Sequence, residues 1–390
     1  MDERNRTRTR TLSDALLIAV FLAGIGLPFV GLFLQWDTRA VAGENRAIMP
    51  RPEFPDTLAS LRQYPRGWED WFNDRFGFRN SLVRWNYNVH FAMLGLESGN
   101  EVLVGKEGWL FYDHGTMIKD WQGRHPFSER SLMAWKYLLE QRRDWLASKG
   151  IRYLVVLVPE KSSIYPEYLP DDVRRDKRDS RLDQLVLHLR LYSTLEVVDT
   201  RPGLLVAKQN GRIWNKTDTH WNDEGAFVAY VQVAERLRKF FPEVRPLPRD
   251  EFEARVFEDH SALDLAGMLG VRDKLQEDRI LLVRRTPALA HPTTLSPFLE
   301  RKEWPPKRGP LVYVRDDDRG PRAVAIRDSF MTQIIPFLSE HFSRTIYLWH
   351  TWDTDVILDE RPDVVIDEFV ERRMSHGLAN PPEVAAFRRR

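Results

Sequence analysis

The sequence predicts an α/β fold in which a parallel β-sheet is flanked by helices. Apolar runs of strand length occur at 151–158, 197–198, 323–326, 345–349 and 364–366. Segments with apolar residues at helical spacing separate these runs, and this alternation is typical of βαβ units with a sheet covered on both faces.

The helical segments are identified by apolar spacing and by capping residues. Ser128 is a suitable N-cap for the helix that follows it, and Gly150 marks the end of that helix. Helical structure is predicted at 68–93, 129–148, 182–192, 204–208, 224–241 and 330–342.

Composition excludes several kinds of protein. The 390 residues carry a net charge of +1, so no overall field favours a nucleic-acid partner. Cysteine is absent, which excludes disulfides, zinc–thiolate sites and cysteine nucleophiles.

The N-terminal segment predicts a membrane anchor. Alternate arginines from Arg4 to Arg10 precede an apolar run at 15–36, and about 20 apolar residues suffice to span a bilayer as a helix. By the positive-inside rule, residues 1–14 form a cytoplasmic basic tail and the rest of the chain lies in the periplasm of a Gram-negative cell. A cleaved signal is the alternative, because Ala40-Val41-Ala42 fits a signal-peptidase site, but the run is long for a cleaved signal.

The rest of the chain divides into a linker and one domain. Four prolines between Pro50 and Pro65 indicate a linker at 37–66. A single α/β domain is predicted at 67–382, and 383–390 is a tail. Within the domain, the apolar residues of 242–310 show no clear helical or strand periodicity, and this segment is interpreted as an irregular insertion or a lid.

Three residues are candidates for an acyl-transfer site. Asp218 and His220 stand two residues apart before a predicted helix, and Ser329 follows a predicted strand. In such sites the histidine removes the serine hydroxyl proton, while the carboxylate orients the imidazole. Two other interpretations stay open, since Asp218 and Ser329 could be helix caps, and Asp218, His220 and Asp223 could bind a metal.

Ser329 lies at a position expected for a catalytic nucleophile. Active sites in open parallel sheets lie beyond the carboxyl ends of the strands, and N–H groups at a helix start can stabilise an oxyanion. The signature G-x-S-x-G is absent, because Arg327 and Phe330 flank Asp328-Ser329.

Together these segments resemble the AlgJ/AlgX-type polysaccharide O-acetyltransferases, whose catalytic domain is SGNH hydrolase-like. The resemblance extends from about Trp68 to Arg373, and its most specific part is the Asp-x-His element. The segments that carry it are Gly105-Lys106-Glu107-Gly108-Trp109-Leu110-Phe111, Val158-Pro159-Glu160-Lys161 with Ile164-Tyr165-Pro166-Glu167, Asp218-Thr219-His220-Trp221-Asn222, and Arg327-Asp328-Ser329-Phe330.

The resemblance implies that Asp218, His220 and Ser329 form a catalytic triad. The order of the triad along the chain is the reverse of that in ordinary SGNH hydrolases, as in a circular permutation. No counterpart is found for the glycine and asparagine that complete the oxyanion hole in those hydrolases. No carbohydrate-binding module follows Pro382, which favours an AlgJ-like arrangement over an AlgX-like one.

Four further residues are predicted to contact the substrate. Trp221 and Trp109 could stack on sugar rings, because indole faces pack against apolar C–H surfaces. Lys161 and Arg327 could meet an anionic sugar or orient the serine loop. The alternatives are core positions for the tryptophans and surface positions for the two cations.

The expected activity is periplasmic transfer of an acetyl group, through an acetyl-serine, onto hydroxyls of an exopolysaccharide. The resemblance implies a membrane-bound O-acyltransferase partner that supplies acetyl groups, and the anchor implies the inner membrane. No cofactor and no metal are expected. The alternatives are a carbohydrate esterase with the same triad and a non-catalytic polysaccharide-binding subunit of an export complex.

Overall fold

The structure, a computed structural model, describes residues 3–34, 51–55, 58–75, 101–176, 178–257, 263–272, 275–305 and 308–375. The chain forms two compact units. One comprises Met1–Ser98 with Ala266–Lys274, and the other comprises Gly99–Leu265 with Leu275–Arg390.

The described strands lie in the second unit. They are β1 (Val102–Val104), β2 (Leu110–Tyr112), β3 (Arg152–Val158), β4 (Val197–Asp199), β5 (Phe252–Phe257), β6 (Arg279–Arg284), β7 (Ala290–Thr293), β8 (Leu311–Arg315), β9 (Arg322–Arg327), β10 (Arg344–Trp349) and β11 (Val364–Val370).

The helices connect and cover these strands. The α-helices are Glu3–Phe33, Leu58–Arg75, Met117–Trp121, Glu129–Ala147, Lys161–Ile164, Arg181–Tyr192, Arg201–Ala207, Asp223–Leu237, Asp264–Met268, Pro297–Glu300, Ile335–Leu338, Thr354–Glu360 and Arg372–Ser375. Short 3₁₀ helices lie at Lys106–Gly108, Pro166–Tyr168, Arg249–Glu251, Phe330–Gln333 and Ser339–His341.

The main sheet has seven strands in the order β4-β3-β11-β9-β10-β8-β7. The first five are parallel, as the sequence predicts, whereas β8 pairs antiparallel with β10, and β7 pairs antiparallel with β8. The prediction of a purely parallel sheet is therefore wrong at one edge. Both extra strands are short, and β7, which forms the edge of the sheet, contains Pro292, a residue tolerated in edge strands.

Alternate residues of the parallel strands enter two separate cores. On one face, Leu154 and Val156 pack in the cluster that contains the helix Asp223–Leu237. On the other face, Val155 and Leu157 pack in the cluster that contains the helix Glu129–Ala147. Because both faces are covered, the parallel strands have continuous apolar runs in the sequence.

Several predicted helices are confirmed. Ser128 caps the helix Glu129–Ala147 by accepting the backbone N–H of Ser131. The continuous helix predicted at 330–342 is wrong, because the segment breaks into short α and 3₁₀ turns around Pro336. Proline lacks the N–H of a helical hydrogen bond, and its ring clashes with the preceding turn.

The region predicted as an insertion at 242–310 contains regular structure. Strands β5 and β6 pair antiparallel in a separate two-stranded sheet, and β7 joins the main sheet. Phe252, Ala254 and Val256 of β5 alternate with Glu253 and Arg255, so a strand pattern is present in the sequence, although most of these side chains are exposed.

The first unit contains the helices Glu3–Phe33 and Leu58–Arg75. The second helix begins inside the segment predicted as a linker and includes Pro65. Edge-to-face contacts of Trp68 with Tyr64 and Trp71, at centroid distances of 6.2 and 5.2 Å, stabilise the helix across this proline. The part of the predicted helical segment beyond Arg75 lies outside the described residues.

Across the described residues, we find no helix with both the length and the apolar character needed to cross a membrane. The anchor at 15–36 stays a prediction.

Candidate active site

Asp218, His220 and Ser329 form one continuous hydrogen-bonded chain. The Nδ1 atom of His220 lies 2.7 Å from Oδ1 of Asp218, and its Nε2 atom lies 2.7 Å from Oγ of Ser329. Asp218 also accepts the backbone N–H of His220 at 2.9 Å, which fixes the imidazole relative to its own loop. The structure therefore brings together the three residues predicted to be catalytic, although 109 positions separate His220 from Ser329.

The loop that carries Asp218 and His220 is held by buried aromatic residues. Trp214 and Trp221 form an isolated antiparallel bridge, and the indole N–H of Trp214 donates to the carbonyl of Thr219. Asn222 then caps the helix Asp223–Leu237 by accepting the N–H of Gly225 at 3.1 Å. A Cβ atom on Gly225 would lie 2.2 Å from the carbonyl oxygen of Ile213, so this close approach requires glycine.

Ser329 follows β9 and opens the 3₁₀ helix Phe330–Gln333. Its backbone is in the ordinary helical region (φ −70°, ψ −23°), and its side chain makes no capping hydrogen bond. The N–H of Phe330 is instead accepted by Asp328 at 2.9 Å. Asn222 and Asp328 accept the N–H groups at the starts of the two helices that follow the catalytic segments. The interpretation of Asp218 and Ser329 as mere helix caps is therefore wrong.

The electrostatics of the site agree with a histidine that acts as a base. Burial alone would lower the pKa of His220, but the hydrogen bond and charge of Asp218 hold it above its usual value. Burial alone would raise the pKa of Asp218, but its contacts with His220 hold it below its usual value. The two groups therefore favour the imidazolium–carboxylate pair that forms when His220 takes a proton.

Two acidic residues of the supposed insertion support this loop, and the sequence did not identify them. Asp264 accepts the backbone N–H of Thr219 at 2.8 Å and its hydroxyl at 2.7 Å, and its Oδ2 atom lies 3.9 Å from Nδ1 of His220. Glu277 accepts the N–H of Thr217 at 2.8 Å. Isolated acids in a charged, proline-rich segment carry no signal that would distinguish them from surface residues.

A metal interpretation requires different residues from those considered in the sequence. Asp223 does not join Asp218 and His220, since its carboxylate accepts the N–H of Leu282 at 3.0 Å. Asp264 takes its place, with one ligand atom from each of the three residues within 4.8 Å of the others. Both ring nitrogens of His220 have hydrogen-bond partners, so the geometry favours the triad over a metal centre.

Lys161 is buried beneath the loop rather than exposed at its surface. Its ammonium group donates to the carbonyl of Leu110 at 2.7 Å and to that of Lys216 at 2.9 Å. It also lies 5.7 Å from the ring centroid of Trp109, which is itself buried and stacks on Tyr168. In this arrangement Lys161 ties the loop to β2.

Trp221 and Arg327 are buried as well. The indole N–H of Trp221 donates to the carbonyl of Phe330 at 3.1 Å, so this residue connects the two catalytic segments. The guanidinium group of Arg327 lies 4.5 Å from the ring centroid of Trp349 and donates to Thr332 at 3.0 Å. All four residues predicted to contact the substrate are buried, and their contact with substrate stays a prediction.

We expect Lys161→Met to destabilise the protein by about 1–3 kcal/mol, because two buried carbonyl groups lose their donor. Burial lowers the pKa of Lys161 to about 8, despite the opposing charges of Asp218, Asp264 and Glu277. In the unfolded chain Lys161 has a pKa of about 10.4 and holds its proton more tightly than in the folded chain. The free energy of unfolding therefore rises as the pH increases from about 8 to about 10. Urea denaturation at several pH values should show this rise in the wild type and its loss in the variant.

Lys216→Met is the matched control, because Lys216 is on the same loop and its ammonium group contacts the carbonyl of Glu107 at 3.3 Å near the surface. Equal effects of the two substitutions would contradict the role assigned to Lys161.

Comparison with known proteins shows which family the chain resembles. The family model for the SGNH hydrolase-like domain of the acetyltransferase AlgX matches residues 102–294, a range that contains Asp218 and His220 but ends before Ser329. The chain is 25% identical over 256 residues to the Pseudomonas aeruginosa protein named "Probable alginate O-acetylase AlgJ", covering 65% of this chain and 60% of that protein. It thus spans less than two thirds of that relative's length.

A second relative matches over a longer range, and a solved structure matches in fold. The Pseudomonas fluorescens protein of the same name is 24% identical over 374 residues, covering 92% of this chain and 91% of that protein. The solved structure of Bacillus cereus PatB1 with a sulfonyl adduct matches with a TM-score of 0.51 and 14% identity, covering 70% of this chain and 97% of that chain. This last likeness concerns the fold alone. The chain is thus similar to the AlgJ/AlgX-type proteins, and its residues 102–294 match the model of their SGNH hydrolase-like domain.

Proposed function

We propose that this protein is an O-acetyltransferase that carries an acetyl group on Ser329 and passes it to hydroxyls of an exported polysaccharide. The hydrogen-bonded chain from Asp218 through His220 to Ser329 carries the proposal, since it is the arrangement that activates a serine for acyl transfer. The names of the AlgJ relatives support the choice of acetyl as the group and of alginate or a similar polymer as the acceptor.

In the first step, Oγ of Ser329 attacks the carbonyl carbon of an acetyl donor. Its proton passes to Nε2 of His220, which is available because Nδ1–H donates to Asp218. The backbone N–H of Phe330 is occupied by Asp328, so the N–H of Ser329 is the candidate donor to the oxyanion at this helix start. The leaving group then takes the proton from His220, and the acetyl ester of Ser329 remains.

In the second step, a sugar hydroxyl attacks this ester. His220 accepts the hydroxyl proton and returns it to Oγ of Ser329 as the carbon–oxygen bond to serine breaks. Transfer rather than hydrolysis requires that the acceptor reaches the ester before water does.

The proposal extends to the location of the protein. Residues 15–36 anchor it in the inner membrane with the catalytic domain in the periplasm, next to a membrane-bound O-acyltransferase that supplies acetyl groups. Anchoring both proteins in one membrane would raise their effective concentration for each other. Since the chain has no cysteine, single cysteines at Thr9 and Ser148 can be labelled in intact cells with a membrane-impermeant maleimide. Labelling at position 148 but not at position 9 is expected, and the reverse would contradict this topology.

The activity is tested by incubating the full chain with an activated acetyl ester and then with alginate or with a neutral polysaccharide. We expect acetyl esters on the polymer and little free acetate. Acetate release without polymer acetylation would favour the esterase. Absence of both reactions, together with normal polymer acetylation in cells that carry Ser329→Ala, would favour the non-catalytic export subunit.

A further inference from the structure

Two buried carboxyl groups lie directly beneath the turn that presents Ser329. Glu368 is on β11 and Asp328 follows β9, two adjacent parallel strands in which Asp367 pairs with Ile326. The side chain of Glu368 is fully buried, and Asp328 is 3% exposed. Glu368 accepts the backbone N–H of Asp328 through Oε2 at 3.0 Å, so β11 holds the residue that immediately precedes the nucleophile.

One oxygen of each carboxyl group has a donor and the other has none. Asp328 uses Oδ1 to accept the N–H of Phe330. Within the described residues, no donor reaches Oδ2 of Asp328 or Oε1 of Glu368. Two ionised carboxylates in these positions would repel each other and leave two buried oxygens unsatisfied. A single proton shared between the groups removes both penalties.

The neighbouring cations do not satisfy these oxygens. Arg327 directs Nη1 to the carbonyl of Asp328 and to the hydroxyl of Thr332. Arg372 interacts electrostatically with Asp328, but it donates a hydrogen bond to Glu160 at 3.0 Å. His350 also faces Asp328, but burial and the charge of Arg373 lower its pKa to about 4, so it is neutral at physiological pH.

We propose that Glu368 is a protonated positioning residue whose carboxylic acid donates to Asp328 and fixes the turn that carries Ser329. Burial and the charge of Asp328 raise the pKa of Glu368 well above its usual value, which agrees with a neutral side chain. The inference rests on Ser329 being the nucleophile, as proposed above. It predicts that activity falls at alkaline pH, when the shared proton leaves and two anions face each other.

The test uses the rate at which an aromatic sulfonyl fluoride labels Ser329 in the full chain, followed by intact mass across pH. In this reaction the bond from Oγ to sulfur forms, fluoride leaves, and the proton passes through His220 to solvent. We expect Glu368→Gln to label within about threefold of the wild-type rate, because its amide can donate to Asp328 and its oxygen can accept the N–H. It should also lose the alkaline decline. Glu368→Ala should label about 10²-fold more slowly, because the nucleophile is misplaced.

Two further measurements separate this role from a simple loss of folding or of activity. Infrared spectroscopy should show a buried carboxylic acid band in the wild type that is missing in Glu368→Gln. Urea denaturation should show Glu368→Gln to be close to wild type, whereas the control Glu360→Gln is destabilised because it loses the ion pairs of Glu360 with Arg322 and Arg344.

The outcomes distinguish a failure of the proposed nucleophile from a failure of the proposed role of Glu368. Failure of the wild type to label would contradict the proposed nucleophile, and the infrared band would still report the proton on Glu368. An unchanged band, a retained alkaline decline in Glu368→Gln, or equal losses in the Gln and Ala variants would overturn the positioning role.

Discussion

Replacing Ser329 with alanine is expected to abolish the acetyl-enzyme and to lower acetyl transfer about 10³-fold or more. The hydroxyl at 2.7 Å from Nε2 of His220 is the atom that would form the ester, and alanine offers no substitute. Incubation with an activated acetyl ester, followed by peptide mass spectrometry, should place one acetyl group on the peptide that contains Ser329. The same peptide of the variant should be unmodified.

Ser343→Ala is the control for this experiment. Ser343 is also buried, but it precedes β10 and so lies at the opposite end of the sheet from Ser329. The control variant should be acetylated like the wild type. An adduct that persists in Ser329→Ala, or that maps to another residue, would show that the nucleophile is misassigned.

Asp218→Asn is expected to lower the acylation rate by about 10²–10⁴-fold, because the amide can stabilise the wrong imidazole tautomer and cannot stabilise the imidazolium. Wild-type acylation needs neutral His220, so its rate should fall as the pH drops through a pKa that lies above the usual histidine value. In the variant this acid limb should move to lower pH, since the group that raises the pKa of His220 is gone.

The raised pKa of His220 also affects the stability of the protein. Because the folded-state pKa of His220 is raised, its interaction with Asp218 stabilises the protein fully below the unfolded pKa of about 6.5. This contribution is lost as the pH rises through the folded value. Urea denaturation of the wild type and Asp218→Asn should therefore differ more at pH 5 than at pH 9.

Two further variants serve as controls for Asp218→Asn. Asp223→Asn removes a carboxylate near the same helix start but leaves His220 untouched, so its acid limb should match the wild type. Asp264→Asn removes the second negative charge near His220 and should move the limb in the same direction as Asp218→Asn, by less. An acid limb unchanged in Asp218→Asn would exclude His220 as the titrating base.

The sequence contains enough local information to place the parallel strands and the catalytic candidates. Strand runs such as 151–158 are apolar on both faces, and this pattern is visible in the sequence because both faces are covered. Asp218 and His220 are neighbours in the chain, so their contact is local. The position of Ser329 at a strand end follows from the abrupt end of the apolar run in β9.

The tertiary structure decided what depends on distant contacts. Strand β8 pairs with the edge of β10, and β7 pairs with β8, and both strands are too short for the sequence to predict this pairing. Asp264 and Glu277 accept hydrogen bonds from the segment around Asp218 only because the fold brings their own segment next to it. Lys161 can be buried because two backbone carbonyl groups accept hydrogen bonds from its ammonium group. Local pattern thus determined the strands and the catalytic candidates, whereas long-range packing decided which charged side chains support them, because burial and hydrogen-bond partners are properties of the folded chain.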